Sequence, residues 1–486
     1  MTLKVIFRTF PRIFVSISQR HFSLCLHKRN EFGSSKTYGG SSSLVGLGHG
    51  NAIIDSSPEK HRPPPDVDVV VVGGGVMGSS IAYFLKKHDY NMSVLVVEKD
   101  SKYTRCSTTL SAGGIRQQFT NAENIQMSMY GSEFLHNIKE HLCVADEDPP
   151  NVQFNENGYL FLATENGAHI LEENSKLQKE LGAKVELLSP TQLKARHPWL
   201  NTSDIALASY GFQNEGWFDP WSLLSAFRKK ATSLGARYID GEVTGFDFSH
   251  VSPSECNSYG GCGRRVKGVQ VAMLNSPEVN TVNCSYVIVA AGASSKEVGM
   301  MADIGLGTAE DQLDLPIPVE PRKRYIYVCH APDGPLLDCP FVIQPDGSYF
   351  RREGLGGMYI MGKSPTEEQE PNCDKLTVDY DFFDEEIWPF VAHRAKAFEN
   401  LKMKSAWAGY YDFNTFDQNG IIGYHPAYPN LLVATGFSGH GIQQSPAVGQ
   451  AITELLLNNC TVSIDLSRMG FDRFRNNTPL LEKNII

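Results

Sequence analysis

The chain has 486 residues, of which 41% are hydrophobic, so it can bury a large core and is expected to form two joined domains. Its formal net charge of -10 argues against a general nucleic-acid-binding protein, because affinity for phosphates requires clustered lysine and arginine side chains. The 10 cysteines show no C-x-x-C pair and no zinc-ligand spacing, which favours a reduced compartment and predicts no metal centre.

The first 30 residues carry basic side chains and no acidic one, since the first acid in the chain is Glu31. Aliphatic and aromatic residues stand between the basic ones, a pattern typical of a mitochondrial presequence. A secretory signal is the alternative, but regularly spaced basic residues leave no uninterrupted apolar stretch of adequate length. We therefore predict a presequence at residues 1–30, location in the mitochondrial matrix, and a disordered linker at residues 31–65, which are rich in glycine, serine and proline.

Residues 66–98 predict a βαβ unit that binds a dinucleotide. The apolar run that opens the unit contains four consecutive valines, which is typical of a parallel strand buried on both faces. Gly73, Gly75 and Gly78 then have the G-x-G-x-x-G spacing, which permits a tight turn, close approach of a pyrophosphate, and packing of helix on strand. A second apolar run ends at Glu98, where an acid can accept hydrogen bonds from a ribose. An ordinary βαβ unit without a ligand is the alternative.

The next part of the chain alternates between two patterns. The polar segment at residues 107–116 has small residues that would let the backbone pass close to a planar cofactor, and a helical pattern follows at residues 122–142. Residues 151–211 mix short strands with helical turns and lack the βαβ rhythm, which predicts a second domain inserted into the first. The nucleotide-binding rhythm resumes in residues 212–310, where a buried strand ends in a glycine turn at Gly292.

Residues 311–414 are again rich in strand patterns, and residues 415–486 return to the first domain. An acidic run at residues 367–386 is interpreted as a solvated surface face, with a docking patch for a basic partner as the alternative. Near the end, residues 430–435 predict a strand that leads into the glycine-rich loop Gly436-Phe-Ser-Gly-His-Gly441 and a helix. Strand, glycine-rich loop and helix N-terminus therefore recur here.

Four blocks stand in one order: the βαβ unit, residues 107–116, the strand that ends at Gly292, and the loop at residues 436–441. Together they resemble the FAD-dependent D-amino-acid oxidase and sarcosine oxidase family, over roughly residues 66–460. The resemblance implies FAD and an α/β fold, with a doubly wound, Rossmann-like FAD-binding domain and an inserted, strand-rich α+β substrate domain. The first domain would comprise residues 66–150, 212–310 and 415–486, and the second residues 151–211 and 311–414.

The resemblance also implies which residues hold FAD. They are Gly73, Gly75, Gly78, Glu98, Ser107, Thr108, Val243, Gly292, Gly439, His440 and Gly441. The first three would approach the diphosphate, and the last three would face the isoalloxazine ring. A helix N-terminus there would stabilise the negative charge of reduced flavin, and His440 would add a hydrogen-bond donor. Alternatively, His440 is a loop histidine bonded to the backbone.

Three departures from the family pattern bear on the chemistry. Sarcosine oxidases attach the flavin through a cysteine where Tyr410 stands, and dimethylglycine dehydrogenases through a histidine near Leu110, so we expect noncovalent FAD. Sarcosine oxidases bind the substrate carboxylate with a lysine where Gln443 stands, and an uncharged amide cannot replace that ion pair. The oxygen-activating lysine of the oxidases falls near Tyr359, and the absence of that lysine favours a dehydrogenase over an oxidase.

The implied chemistry is hydride transfer from a C–H beside an amine or a hydroxyl to flavin N5. An amino-acid substrate would need a cationic anchor, for which the candidates are Arg116, Arg322, Lys323 and Arg351. The predicted catalytic residues are Tyr410, Tyr411, Asp412, His440 and Arg116. The two tyrosines and Asp412 would line the substrate face; the alternatives are a core position for each tyrosine and a strand-end position for the acid.

Residues 318–325 and 407–420 resemble a mitochondrial member of the family that is associated with assembly of respiratory complex I. This implies subunits or assembly intermediates of complex I as partners, besides a small-molecule substrate of unknown identity. Residues 67–85 are mostly apolar, but three adjacent glycines and Asp68 argue against a membrane span, so only peripheral association with the inner membrane is compatible with the sequence. The opposing hypothesis is a non-enzymatic assembly factor that keeps FAD as a structural ligand.

Overall fold

The computed structural model describes residues 62–250, 263–308, 310 and 312–483. These residues all belong to one compact unit, Ser57–Ile486. The predicted presequence and most of the predicted linker lie outside the described residues. No helix within the described ranges combines the length and the apolar character needed to cross a lipid bilayer.

The described residues form two large sheets, one small sheet and eleven α-helices. The strands are β1 (Asp66–Val72), β2 (Val94–Glu98), β3 (Gly114–Ile115), β4 (Tyr159–Ala163), β5 (Val185–Leu188), β6 (Leu207–Gly211), β7 (Gly216–Trp217), β8 (Arg237–His250), β9 (Arg264–Met273), β10 (Val279–Val289), β11 (Val319–His330), β12 (Phe341–Ile343), β13 (Tyr349–Glu353), β14 (Met358–Gly362), β15 (Lys402–Asn414), β16 (Ile421–Tyr424) and β17 (Leu431–Thr435). The helices are α1 (Val76–His88), α2 (Ala122–His136), α3 (Ile138–Leu142), α4 (Glu165–Glu180), α5 (Pro190–Arg196), α6 (Pro220–Ser233), α7 (Ser295–Met300), α8 (Asp381–Glu386), α9 (Trp388–Arg394), α10 (Gly441–Asn458) and α11 (Asp472–Arg475).

The first sheet has seven strands and contains the predicted βαβ unit. β1 pairs in parallel with both β2 and β10, so that Val70 lies opposite Leu95 and Val287. β8 continues the parallel arrangement beyond β2, and β17 continues it beyond β10. β9 is antiparallel to β8 and β10, and β16 is antiparallel to β17. The parallel strands therefore end along one edge, and the glycine turn after β1 lies at that edge.

The valine run of β1 is buried on both faces, as the absence of alternation predicted. Val69 and Val71 pack into a core shared with α1, α2, α6 and α10. Val70 and Val72 pack into a second core on the other face of the sheet. Helices cover the first face, and the core on the second face contains residues of β8, β9 and α7.

The second large sheet has eight strands in the order β15-β11-β14-β13-β12-β4-β6-β5. β12 pairs in parallel with β4, and the other neighbours in this sheet are antiparallel. Its strands come from two separate segments of the chain, residues 159–211 and 319–414. The predicted fold class, a doubly wound domain with an inserted strand-rich domain, is confirmed, while the domain boundaries stay predictions.

The predicted helix at residues 122–142 is divided in two. α2 ends at His136, and α3 begins at Ile138. Between them, the side chain of Asn137 donates to the carbonyl of Glu133 at 3.1 Å. An asparagine that bonds to the backbone in this way competes with helix formation, so apolar periodicity alone did not reveal the break.

Candidate functional site

A cavity of about 780 Å³ lies between the two large sheets. Its lining comes from the carboxyl ends of β1, β2, β10 and β17, from residues 104–116, and from β11 and β15 of the second sheet. Cofactor sites typically have this size, and open α/β sheets bind their ligands outside the carboxyl ends of the strands. All of the predicted FAD-binding residues except Gly78 line this cavity.

The three glycines of the predicted fingerprint have different structural roles. Gly73 has a φ of +103°, and a Cβ atom there would lie 2.4 Å from the carbonyl oxygen of Ala290. Gly75 lines the cavity, and a Cβ atom there would fill space beside Cys106 and Thr108, at 3.4 and 3.5 Å. At Gly78 a Cβ atom would lie 1.9 Å from the carbonyl oxygen of Gly73, so this glycine permits the packing of α1 on β1 and lies outside the cavity lining.

Glu98 lies at the end of β2, as its spacing predicted. Its Oε2 accepts a hydrogen bond of 2.7 Å from the N–H of Gly74, and its Oε1 accepts one of 2.7 Å from the N–H of Asp100. Burial raises the pKa of Glu98, although these two hydrogen bonds oppose the effect. The carboxylate is thus fixed in the cavity wall, which Val243 of β8, another of the predicted FAD-binding residues, also lines.

Two helices begin at the cavity, and both begin in a way that suits an anion. Neither α1 nor α10 has a side-chain cap from its own N-cap residue, and neither has an acid in its first turn. In α1, the N–H of Val76 donates to the hydroxyl of Thr108 at 3.2 Å. Helix N-termini of this kind attract phosphates and other anions. The open space at Gly75, the fixed carboxylate of Glu98 and the two helix N-termini fit an FAD molecule.

The glycine-rich loop before α10 is held by Asp412. The Oδ2 atom of Asp412 accepts hydrogen bonds from the N–H groups of Gly436 and Phe437, at 2.8 and 3.1 Å. Gly439 has a φ of +92°, and a Cβ atom there would lie 2.6 Å from the ring of Tyr411. Asp412 lines the cavity as predicted, but its carboxyl group is engaged with the loop, and burial raises its pKa to about 6.

His440 and Arg116 both line the cavity, and their side chains are in contact. Its Nε2 lies 3.3 Å from Nη2 of Arg116, and its ring packs edge-on against Phe119, with 5.1 Å between the ring centroids. Burial lowers the pKa of His440 to about 3, so the ring is neutral. Because a guanidinium can only donate, Nε2 accepts and we assign the ring proton to Nδ1. The predicted donor is therefore available, and the Nε2 atom of the ring contacts a side chain instead of the backbone.

Arg116 is buried and lines the cavity. Its Nη1 donates to the carbonyl of Gln118 at 2.7 Å, and its guanidinium lies 4.0 Å from the ring centroid of Phe119. The side chain of Gln443, which stands where the resemblance implies a lysine, accepts a hydrogen bond of 2.8 Å from the N–H of Arg116. Gln443 thus positions Arg116.

The other three predicted anchors do not line the cavity. Successive side chains of a strand point to opposite faces, so Lys323 lies on the face of β11 opposite to that of Arg322. Its ammonium group donates to the carbonyl of Lys375. Arg322 stacks on Phe413, with 4.9 Å to the ring centroid. Arg351 lies behind the cavity wall and donates to the carbonyl of Ala112 at 2.9 Å.

Arg324 lines the cavity instead, and the sequence analysis missed it. Its two terminal nitrogens donate to the two oxygens of Glu370 at 2.8 and 3.0 Å. Glu370 belongs to the predicted acidic run and is half-buried, so the interpretation of that run as a solvated face is wrong at this residue. The sequence did contain a signal for Arg324: it follows Arg322 by two residues in a strand, so both side chains point to the same face of β11. This spacing does not show which of the two arginines reaches the cavity.

Aromatic side chains form a further part of the cavity lining. Tyr410 donates to the carbonyl of Cys373 at 2.6 Å and accepts from Arg105 at 3.1 Å, and Tyr411 lies beside Arg324. Both tyrosines line the cavity, as predicted. Three further lining residues come from strands that are distant in sequence: Tyr159, Phe341 and Tyr349. Burial raises the pKa of Tyr159, Tyr349 and Tyr411, so their hydroxyl groups keep their protons.

Tyr359 does not line the cavity. It lies in β14, and its buried hydroxyl donates to the carbonyl of Pro335 at 2.5 Å. Tyr359 itself therefore does not reach the cavity, and the absence of an oxygen-activating lysine stays a prediction. One lysine lines the cavity among the described residues, Lys99, and it follows Glu98 at the nucleotide end.

A sequence model of the family described as "FAD dependent oxidoreductase" matches residues 68–455. The chain is 54% identical over 433 residues to FAD-dependent oxidoreductase domain-containing protein 1 of Xenopus laevis, covering 88% of this chain and 87% of that protein. It is 24% identical over 428 residues to the mitochondrial sarcosine dehydrogenase of Homo sapiens, covering 85% of this chain and 42% of that protein.

Among solved structures, L-proline dehydrogenase from P. horikoshii superimposes with a TM-score of 0.71 at 26% identity, covering 86% of this chain and 100% of that one. The predicted family and the predicted cofactor are confirmed. The chain belongs to the FAD-dependent oxidoreductase family, and FAD is its cofactor.

Proposed function

We propose that the protein is an FAD-dependent dehydrogenase whose substrate is a small amine or hydroxy acid. The observation that carries the proposal is the placement of two guanidinium groups, Arg116 and Arg324, with Tyr411 in one wall of the cavity. Arginine recognises carboxylates through paired donors, so this wall suits the anionic end of such a substrate. Bound FAD supplies the hydride acceptor.

The side chains around this wall are prepared for binding and for holding protons. Glu370 fixes the guanidinium of Arg324 through two hydrogen bonds, so little conformational entropy would be lost when a ligand binds. Gln443 fixes the backbone at Arg116. Tyr411 keeps its proton, and the Nδ1–H of neutral His440 is a second donor, so both can orient a substrate without changing their charge.

The choice of a dehydrogenase over an oxidase has two supports. Oxidases that this chain resembles carry an oxygen-activating lysine, whereas the lysine in the described lining, Lys99, lies at the nucleotide end. The similar solved structure named above is that of a dehydrogenase. In vitro, photoreduced holoprotein should reoxidise slowly in air and quickly with a quinone or a flavoprotein acceptor. Rapid formation of peroxide in air would contradict the assignment.

The substrate class is tested by an anaerobic screen of the holoprotein. Amines, amino acids and hydroxy acids are added one at a time, and bleaching of the flavin absorbance identifies a substrate. We expect bleaching by compounds that carry an anionic group near the reacting C–H. Bleaching by uncharged compounds alone would contradict the proposed role of the two guanidinium groups.

We further propose that the protein acts in mitochondria, in the assembly of respiratory complex I, with subunits or assembly intermediates of that complex as partners. The acid-free basic segment before Glu31 supports import, and a mitochondrial relative in the same family agrees with it. The resemblance of residues 318–325 and 407–420 supports the assembly role. Cells that lack the protein should contain less complex I, and the wild-type chain should restore it. Recovery of the protein in the secretory pathway would contradict import.

A non-enzymatic assembly factor remains the second candidate function. The observation that favours it is the ion pair of Arg324 with Glu370, which engages one donor of each terminal nitrogen and neutralises the charge of that guanidinium. Rescue by a folded variant without FAD separates the two candidates. Gly75→Val is suited to this test, whereas Gly78→Val is not, because a side chain at Gly78 would overlap the carbonyl of Gly73. Full rescue by Gly75→Val would favour the non-enzymatic factor.

A further inference from the structure

Asp412 places a negative charge in the same wall of the cavity as the glycine-rich loop. Its carboxyl group accepts hydrogen bonds from the N–H groups of Gly436 and Phe437, which lie five and four residues before Gly441, where α10 begins. The adjacent residue, Tyr411, packs against Gly439 of the same loop. Asp412, Gly439 and Gly441 all line the cavity. The carboxyl group therefore lies at the cavity beside the glycine-rich loop, which the resemblance to the family implies to face the isoalloxazine ring.

The charge of Asp412 is held by neutral groups. The groups that donate hydrogen bonds to it are the N–H groups of Gly436 and Phe437. Within the described parts of the chain, no lysine, arginine or histidine forms an ion pair with it. A charge that is hydrogen-bonded but not neutralised acts over a longer range inside a protein than in water, because the local dielectric is low.

We propose that Asp412 sets the reduction potential of bound FAD, as a positioning residue that fixes the glycine-rich loop and holds a negative charge beside the cofactor. Reduction adds negative charge to the flavin, and a neighbouring carboxylate opposes that change. The N-terminus of α10 acts in the opposite direction, because its dipole stabilises added negative charge. The potential of the bound cofactor is then a balance between the carboxylate and the helix. This inference concerns the cofactor alone and does not depend on the identity of the substrate.

The test is a spectroelectrochemical titration of the holoprotein at pH 8, where the carboxyl group is ionised. Asp412→Asn removes the charge but keeps an oxygen that can accept from Gly436 and Phe437. We expect the preference of the variant for reduced over oxidised FAD to rise on the order of tenfold, which is about 30 mV for a two-electron couple. The matched control is Glu320→Gln on β11, whose carboxylate pairs with Lys296 and is half-exposed outside the cavity lining. The control should leave the potential unchanged.

A merely structural role for Asp412 predicts a different result. In that case Asp412→Asn, which keeps the acceptor, would have the potential of the wild type, and this outcome would overturn the proposal. Asp412→Ser also removes the charge and keeps a hydroxyl acceptor, so it provides the measurement if the asparagine variant does not fold. Asp412→Glu retains the charge and should keep the potential close to that of the wild type. An equal rise in Asp412→Glu would also overturn the proposal.

Discussion

Asp417 and Arg473 form an ion pair that is almost completely buried, with Nε of Arg473 donating to Oδ2 of Asp417 at 2.7 Å. The guanidinium also donates to the carbonyls of Asn419 and Gly420 at 3.0 Å each. Asp417 in turn accepts from the N–H of Leu480. The pair thus joins the loop between β15 and β16, next to the candidate site, to the C-terminal segment of the described chain.

Arg473→Ala should lower the free energy of unfolding by about 3–5 kcal/mol, because it leaves the carboxylate of Asp417 buried without its cation. Denaturant unfolding of the purified protein measures the change. The control is Arg475→Ala, in the same short helix, whose side chain is half-exposed and donates to Gln312. Exposed substitutions of this kind typically change stability by no more than about 0.5 kcal/mol. Equal effects of the two variants would contradict the role of the buried pair.

Glu215 is completely buried beside the main chain of Gln117, from whose N–H it accepts a hydrogen bond of 3.0 Å. Burial raises its pKa to about 8 from 4.5. The folded protein therefore keeps a proton that the unfolded chain releases above pH 4.5, so the contribution of Glu215 to stability is full below that pH and is lost progressively as the pH rises to 8.

Glu215→Gln removes this pH dependence, because an amide stays neutral. We expect wild type and variant to have similar stability at pH 5, and the variant to be more stable at pH 8 by a few kcal/mol, since each pKa unit corresponds to about 1.4 kcal/mol. Thermal unfolding at both pH values measures the difference. Glu180→Gln at the exposed end of α4 is the control, and a difference that does not grow with pH would refute the prediction.

FAD should be bound noncovalently and should depend on the open space at Gly75. Acid precipitation of the holoprotein should release all of the flavin into the supernatant, and yellow colour in the pellet would contradict this. Gly75→Val should fold but lose the cofactor, because the side chain occupies the space that the pyrophosphate needs. Gly356→Val is the control, since a Cβ atom at Gly356 meets no atom within 4 Å. It should retain the flavin absorbance of the wild type.

Arg324 should bind the anionic group of ligands. Benzoate serves as a probe, and its binding is followed by the perturbation of the flavin absorbance. Arg324→Ala should weaken binding by roughly 10- to 100-fold, because a hydrogen bond to a charged group contributes about 1.5–3 kcal/mol. Arg322→Ala, on the same strand but outside the cavity lining, should bind benzoate like the wild type. Equal weakening in both variants would point to a general loss of positive charge instead of a direct contact.

The βαβ unit could be predicted because its signals are local. The spacing of Gly73, Gly75 and Gly78 before a helix, and the position of Glu98 after the second strand, describe one continuous segment whose geometry depends on neighbouring residues. The structure brings these residues to one edge of the sheet because parallel strands end there. The glycine-rich loop before α10 was recognisable for the same reason.

The choice among Arg322, Arg324 and Arg351 could not be made from the sequence. Alternation along β11 places Lys323 on the face opposite to that of Arg322 and Arg324. Which of the arginines reaches the cavity depends on how the second sheet packs against the first. The engagement of Asp412 with the glycine-rich loop likewise joins segments that are 24 residues apart. No local pattern records either relationship.

The sequence by itself determined the dinucleotide-binding βαβ unit, because its strand, turn, helix and terminal acid follow from short-range spacing of glycines, valines and one acid. The resemblance of four blocks to a known family then implied FAD. Only the tertiary structure decided which cations and tyrosines line the cavity, that Glu215 is buried with its proton, and that Asp412 accepts hydrogen bonds from the glycine-rich loop. These properties depend on burial and on contacts between β4, β11, β13 and β15, whose residues meet only after two separate segments of the chain have joined one sheet.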